Sequence, residues 1–225
     1  MTVVDLTHTI RPGMPTYPGV EGPQFAPANT LEQDGFVERR LVLTSHLGTH
    51  ADAPAHILPG APTLDQFAAG SFVGEGVLLD LRRLARPTIE VGDLQAAAAS
   101  IRRSEFVLLW TGWSERWGGA AYFEGYPVLS GAAAEWLTSQ RLKGVGVDAI
   151  SFDVADSADF PVHRVLLGHG LVIIENLTNL AQLPSPTGFL FACLPLKLDA
   201  ADGAPVRAVA LMPPTSRRRR TVTHR

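Results

Sequence analysis

The chain carries, at residues 45–56, the stretch Ser45-His46-Leu47-Gly48-Thr49-His50-Ala51-Asp52-Ala53-Pro54-Ala55-His56. Three histidines and an aspartate fall within eleven positions, far more than seven histidines spread evenly over 225 residues would give. Imidazole and carboxylate groups are the usual ligands of zinc and also suit manganese or iron. The spacing therefore predicts a metal site, in preference to histidines that only hydrogen-bond within a polar loop.

The local conformation of this stretch follows from its glycine and proline. Gly48 weakens a helix and Pro54 opposes one, so His46 and His50 are not expected on one helical face. We expect a turn-rich loop at the end of a strand. Because the residue before a proline favours extended geometry, residues 52–56 are expected to be extended, with Asp52 and His56 pointing the same way.

Short apolar runs flanked by glycine or proline predict strands elsewhere in the chain. They lie at residues 37–44, 77–81, 106–110, 144–147, 171–174, 190–196 and 206–211. Helical periodicity appears at 94–103 and 131–140, with Asp93 and Ser130 as N-caps, and a third helix is expected after Pro161. Five prolines in residues 11–30 predict a wandering loop. The pattern indicates one α/β domain with a mixed sheet.

Glu175 is a second candidate ligand. It ends the apolar run 171–174, where an unpaired carboxylate would be costly to bury. It therefore needs a cation, either a metal ion or an arginine such as Arg207. His163, taken alone, is a first-turn helix residue of no special meaning.

Composition limits the function further. The 225 residues are 46% hydrophobic, which argues against disorder, and the net charge of −3 argues against nucleic acid as a partner. There is no signal-peptide pattern and no apolar stretch of membrane-spanning length. The single cysteine, Cys193, fits a reducing cytoplasm. We expect a domain over 1–214 and a mobile basic tail over 215–225, which contains four consecutive arginines.

The sequence resembles the cyclase family, whose signature is H-x-G-T-H-x-D-x-P-x-H. That family includes bacterial kynurenine formamidases, isatin hydrolases and cyclases. All seven fixed positions are present between His46 and His56. Further similar segments span nearly the whole chain: Asp5-Leu6-Thr7, Met14-Pro15-Thr16-Tyr17-Pro18-Gly19, Thr111-Gly112-Trp113, Gly146-Val147-Asp148, Ser151-Phe152-Asp153, Leu194-Pro195-Leu196-Lys197 and Asp202-Gly203-Ala204-Pro205-Val206-Arg207.

The resemblance implies a fold and a ligand set. The implied fold is a single α/β domain of the swivelling β/α type, with a mixed, curved, barrel-like sheet flanked by helices and assembled as a homodimer or homotetramer. The implied cofactor is Zn²⁺ or Mn²⁺, one or two ions per subunit. His163 and Glu175 keep the family's twelve-residue interval between two further ligands. Tyr17 is implied at the substrate pocket.

Two arrangements of the metal ligands stay open. In a one-metal site, His46, His50 and Asp52 hold the ion, and His56 or His169 transfers protons. In a two-metal site, Asp52 bridges, His46 and His50 complete one position, and the other takes His56, His163 and Glu175. The ion would lower the pKa of water and polarise a carbonyl.

The implied activity is hydrolysis of the C–N bond of a small aryl formamide, amide or lactam. Two alternatives are a metal-dependent cyclase or lyase acting on a small carbonyl compound, and a non-catalytic metal-binding protein on the same fold. Incorporation of water into product separates hydrolysis from the lyase alternative.

Overall fold

A nine-stranded mixed sheet forms the centre of the computed structural model, which describes residues 1–213. The strands, in chain order, are β1 (Thr2–Asp5), β2 (Gln24–Asn29), β3 (Glu38–Val42), β4 (His50–Asp52), β5 (Val73–Asp80), β6 (Thr88–Ile89), β7 (Phe106–Trp110), β8 (Val128–Leu129), β9 (Gly144–Val147), β10 (Val172–Glu175), β11 (Phe189–Ala192), β12 (Gly203–Pro205) and β13 (Val209–Met212). The α-helices are α1 (Leu31–Asp34), α2 (Val91–Gln95), α3 (Ala98–Ile101), α4 (Gly131–Thr138) and α5 (Pro161–Gly168). The predicted tail at 215–225 lies outside the described residues.

The order of strands across the main sheet is β1-β13-β11-β5-β7-β9-β10-β4-β12. Its centre, from β5 through β7 and β9 to β10, is parallel, and the strands on both sides pair antiparallel. The sheet curls into a half-barrel. The predicted single α/β domain with a mixed, curved sheet is therefore confirmed. The pairs β2–β3 and β6–β8 form two small separate sheets.

The central strands are continuous apolar runs because both of their faces are buried. On one face, Val107, Leu109 and Val145 pack against helices α2, α4 and α5. On the opposite face, Phe106 and Leu108 pack into a second core formed as the sheet curls. These two cores hold β4 and β10, the strands that carry candidate ligands, in a fixed register.

Most predicted elements are confirmed within a few residues. The predicted strands are all present. Helix α4 begins after Ser130, as predicted, and the Ser130 Oγ accepts a hydrogen bond from the N–H of Ala133 at 3.2 Å. Helix α5 begins at Pro161 as predicted. Cys193 follows β11 and is fully buried, and this burial raises the pKa of its thiol. None of the helices within residues 1–213 has the length and apolar composition needed to cross a bilayer.

Two element predictions are wrong. The helix predicted at 94–103 is two short helices, α2 and α3, and Asp93 lies inside α2, where its carboxylate accepts the N–H of Glu90 at 2.8 Å. The region 11–30, predicted as loop throughout, contains β2. Pro27 fits this strand because, within residues 1–213, β2 pairs with β3 alone and the pairing is irregular at that point.

Candidate metal centre

The histidine-rich motif enters the main sheet as strand β4. Gly48 has a left-handed φ of 62°, which turns the chain into the strand, and β4 then pairs with β10 on one side and β12 on the other. Pro54–His56 forms a 3₁₀ turn. The turn-rich loop expected at the end of a strand is present at residues 43–49, after β3, but the expectation that residues 52–56 are extended throughout is wrong. Strand β4 forms because it pairs with β10 and β12, which lie more than a hundred residues further along the chain. The sequence around residues 45–56 does not indicate this pairing.

The register of these strands decides which ligand candidates meet. Glu175 of β10 lies opposite His50 of β4, and His50 Nε2 is 3.5 Å from Glu175 Oε2. His163, in the first turn of α5, places its Nε2 3.1 Å from Glu175 Oε1 and 3.8 Å from Asp52 Oδ2. All four side chains are buried. Two strands and one helix thus build a single cluster of nitrogen and oxygen donors.

His46 and His56 flank this cluster on its more exposed side. His46 Nδ1 is 2.7 Å from Asp52 Oδ1, and the rings of His46 and His56 lie 3.8 Å apart between centroids. Their side chains are 23% and 30% exposed, against 1% for Asp52. Asp52 therefore lies between a buried set of candidate ligands and a set that solvent can reach.

The ligand atoms form two groups, each within 4.8 Å, that share Asp52. One group is His46, Asp52 and His56, and the other is His50, Asp52 and Glu175. The structure thus brings together all six predicted ligands, with His163 against the second group. The grouping differs from the predicted two-metal division, because β4–β10 pairing sets His50 beside Glu175 rather than with His46.

The residues present fit a divalent cation. Asp52 Oδ2 is buried and has no hydrogen-bond partner among the described residues, so it needs a cation. His163 Nδ1 lies 2.6 Å from Asp153 Oδ2, the outer carboxylate contact that commonly orients a metal-binding histidine. His50 Nδ1 faces the carbonyl oxygen of Gly48 at 2.8 Å, which leaves Nε2 directed at the two carboxylates. Imidazole and carboxylate donors suit zinc or manganese.

The ionisation of the cluster reflects its crowding. Burial alone would raise the pKa of Asp52, but His46 and His50 hold it well below its ordinary value. Burial and the negative charge of Asp52 raise the pKa of Glu175. Burial opposes charge on His46, yet Asp52 and Asp202 raise its pKa to about 9. In His56, burial dominates and lowers the pKa to about 4, so this imidazole is neutral at pH 7.

A cavity of about 310 Å³ opens onto the cluster. Tyr17 lines it, as the resemblance implies, and the Tyr17 hydroxyl donates a 2.7 Å hydrogen bond to the carbonyl oxygen of Ala155. The other residues lining the cavity are Val20, Thr44, Ser45, His46, His50, His56, Ile150, Ser151, Phe160, His163 and Glu175. Apolar walls and a polar, ligand-rich floor are typical of a small-molecule site.

Two sequence hypotheses are corrected by the structure. His169 lies exposed just beyond the end of α5, where its Nδ1 faces the carbonyl oxygen of Val165 at 2.8 Å, and it does not line the cavity. It is therefore not in position to transfer protons there. Arg207 pairs with Asp5 rather than with Glu175.

Two carboxylates beside the cluster were missed as site residues. Asp153 contacts His163, and Asp202 Oδ2 lies 3.1 Å from His46 Nε2. Both occur in segments that resemble family motifs, so a signal was present. Their role became visible only when the fold placed them next to the histidines.

Comparison with known proteins agrees with this geometry. The family model Cyclase, described as "Putative cyclase", matches residues 4–154. A kynurenine formamidase of Salinibacter ruber is 32% identical over 93% of this chain and 97% of its own length. An isatin hydrolase of Roseibium aggregatum is 30% identical over 81% of this chain and 78% of its own. The solved structure of isatin hydrolase A from Ralstonia solanacearum superposes with a TM-score of 0.82 at 29% identity, covering 94% of this chain and 92% of that one.

The chain belongs to the cyclase family. Its relatives and its His/Asp/Glu cluster together support a metal-dependent hydrolase within that family.

Proposed function

We propose that this protein hydrolyses the C–N bond of a small aryl formamide, amide or lactam, using one or two bound Zn²⁺ or Mn²⁺ ions. The observation that carries the proposal is the convergence of five ligand-type side chains, His46, His50, His56, His163 and Glu175, on one cavity, together with the buried Asp52 that two groups of ligand atoms share. The relatives named kynurenine formamidase and isatin hydrolase support the substrate class.

The cavity is suited to one flat, mainly apolar molecule. Its volume of about 310 Å³ is at the small end of the range for ligand sites. Tyr17, Ile150 and Phe160 supply apolar surface, while the ligand cluster lies at the floor. A substrate with an aromatic ring and one polar amide group would place the ring against the walls and the amide against the cluster.

The residues divide into holding and proton-transferring roles. His46, His50, Asp52, His163 and Glu175 would hold the metal, which supplies Lewis acidity towards water and towards a carbonyl oxygen. His56 is neutral at pH 7, is partly exposed and lines the cavity. Because its Nδ1 faces Asp202, its Nε2 is the atom proposed to accept a proton from water and return it to the leaving nitrogen.

The test compares hydrolysis of N-formylkynurenine and of isatin by protein that has been stripped of metal and reloaded with Zn²⁺ or Mn²⁺. We expect a rate that depends on the metal and is lost in Asp52→Asn, while the exposed control Asp199→Asn keeps it. Reaction in ¹⁸O-labelled water should give product carrying one labelled oxygen. Turnover without the label would favour a lyase, and metal binding without turnover of aryl amides or lactams would contradict the proposed activity.

The same proposal includes an assembly of identical subunits. The described chain exposes several large apolar side chains on and beside the β2–β3 hairpin, including Phe36, Val37 and Leu41. A two-stranded hairpin alone is marginally stable, so further packing would stabilise it. Light scattering should give a mass about two or four times the chain's 24.1 kDa; a monomer at micromolar concentration would contradict this part.

A further inference from the structure

Asp202 contacts the ligand cluster from outside the cavity. Its Oδ2 lies 3.1 Å from His46 Nε2 and 3.7 Å from His56 Nδ1. Its side chain is 46% exposed, whereas that of Asp52 is 1% exposed, and Asp202 does not line the cavity. Asp202 is thus a partly exposed carboxylate at a site whose other carboxylates, those of Asp52, Asp153 and Glu175, are buried.

The backbone around Asp202 is fixed on both sides. Its carbonyl oxygen accepts the N–H of Ala53 at 2.8 Å, and the carbonyl oxygen of Ala201 accepts the N–H of Leu64 at 2.8 Å. The next residue, Gly203, begins β12 opposite Asp52. A Cβ at Gly203 would lie 2.5 Å from His46 Cε1, so the ring of His46 packs directly on this backbone. Residues 201–203 therefore form a fixed backbone surface against which the His46 ring packs.

The two nitrogens of that imidazole face different carboxylates. His46 Nδ1 is directed at Asp52, and Nε2 is directed at Asp202. The ring nitrogens point away from each other, so a cation bound between Nδ1 and Asp52 is not also reached by a carboxylate at Nε2. With a cation at Nδ1, the ring proton would lie on Nε2, where the Asp202 carboxylate is placed to accept it.

We propose that Asp202 is a positioning residue that accepts a hydrogen bond from Nε2–H of His46 and so presents Nδ1 to the metal. This inference rests on the proposed function, because it assumes that the cluster binds a metal ion. It adds a residue outside the six predicted ligands, and it assigns the tautomer of His46.

The first test measures Zn²⁺ affinity of the metal-stripped full chain by competition with a chromophoric chelator. Loss of an outer-shell partner commonly weakens metal binding 10–100-fold. We expect Asp202→Ala to lose Zn²⁺ affinity within that range. Asp202→Asn keeps an acceptor oxygen and should recover part of the affinity. Asp199→Ala should change the affinity by less than about twofold. Asp199 lies exposed three residues away and controls for the loss of one negative charge. Equal affinities of the Asp202→Ala and Asp199→Ala proteins would overturn the inference.

The second test needs no variant of Asp202. Long-range ¹H–¹⁵N spectra of the Zn²⁺-loaded native protein, with His46 assigned by substitution, report which ring nitrogen is protonated. We expect a proton on Nε2 and the metal on Nδ1; the reverse arrangement would overturn the inference even if Asp202→Ala fails to fold. Native protein that binds neither Zn²⁺ nor Mn²⁺ would overturn the proposed function and this inference together. Tight binding with unchanged affinity in Asp202→Ala would overturn the inference alone.

Discussion

The Asp153 carboxylate contacts His163 twice, at Nδ1 (2.6 Å) and at the backbone N–H (3.0 Å), and it also accepts the backbone N–H of Val162 at 2.9 Å. One side chain thus orients a candidate ligand and caps the first turn of the helix that carries it. The position of His163 is therefore coupled to the start of α5.

Asp153→Ala should weaken both functions of this residue. Loss of an N-terminal capping acceptor costs about 1 kcal/mol of unfolding free energy, and loss of the imidazole contact weakens metal binding about 10–100-fold. Denaturant unfolding of the metal-free protein and Zn²⁺ competition measure the two effects separately. Asp156→Ala, a change of the same charge on the exposed loop before α5, is the control. Unchanged metal affinity in Asp153→Ala would contradict the orienting role.

Gly203→Ala should disturb His46 without removing a ligand. The added Cβ would approach the ring within 2.5 Å, and the contact is with a ring wedged between Asp52 and Asp202. Overpacking of this kind typically costs about 1–3 kcal/mol, and we expect a matching loss of metal affinity. Gly70→Ala is the control, because a Cβ there meets no atom within 4 Å. Native affinity in both variants would show that the ring has room to move.

Glu175→Gln should have opposite effects with and without metal. Without metal, burial beside Asp52 makes the charge of Glu175 unfavourable, so a neutral isostere should leave the unfolding free energy equal or higher. With metal, the variant should gain less stability, because ligand-induced stabilisation follows affinity. Thermal unfolding with and without Zn²⁺ tests both arms. If Glu175→Gln were less stable than the native chain when both lack metal, the predicted effect of removing the buried charge would be contradicted.

His8 gives a pH dependence independent of the metal ligands. Its ring stacks on Trp117 at 3.9 Å between centroids, and burial lowers its pKa to about 4. In the unfolded chain the His8 imidazole has an ordinary pKa of 6.5, so between pH 6.5 and 4 it binds a proton that it does not bind in the folded chain. The contribution of His8 to the free energy of unfolding therefore falls as pH drops from 6.5 towards 4. His8→Phe keeps the stack and removes this loss.

The measurement is denaturant unfolding of metal-free protein at pH 7 and pH 5. After allowance for the partial exposure of the ring, His8→Phe should improve relative to the native chain by about 1 kcal/mol at pH 5. A difference between the two proteins that does not change with pH would show that His8 does not titrate as described.

Tyr17 should act on substrate binding through its ring. Its hydroxyl is bonded to the carbonyl oxygen of Ala155, while the residue lines the cavity. We expect Tyr17→Phe to keep KM within about threefold and Tyr17→Ala to raise it about tenfold, because truncation removes the partly buried ring from the cavity wall. Steady-state kinetics on whichever aryl amide or lactam is turned over decides this. A KM unaffected by Tyr17→Ala would remove Tyr17 from the substrate site.

The sequence predicted what local patterns determine. Strands β7 and β9 are apolar on both faces and flanked by turn residues, and helix α4 follows a serine cap; each is encoded within a few neighbouring residues. The density of ligand-type residues between His46 and His56 likewise predicted a metal site.

What the sequence left open depends on contacts between distant segments. Strand β4 is three residues long and exists because β10 and β12 pair with it. That pairing sets His50 beside Glu175 and brings Asp202 to His46, and neither contact is visible in a local window. The proton-transfer role predicted for His169 was wrong because this residue follows the last residue of α5, at the end of the helix away from the cavity.

The burial of Cys193 makes the native chain convenient for spectroscopic labelling. It is the chain's only cysteine, it is fully buried, and its thiol resists ionisation, so maleimide or nitroxide reagents would find no reactive target on the folded surface. A cysteine introduced by Leu41→Cys on the exposed hairpin would carry a single label. With Mn²⁺ bound at the cluster as a paramagnetic reference, that label would report the distance between hairpin and metal in solution.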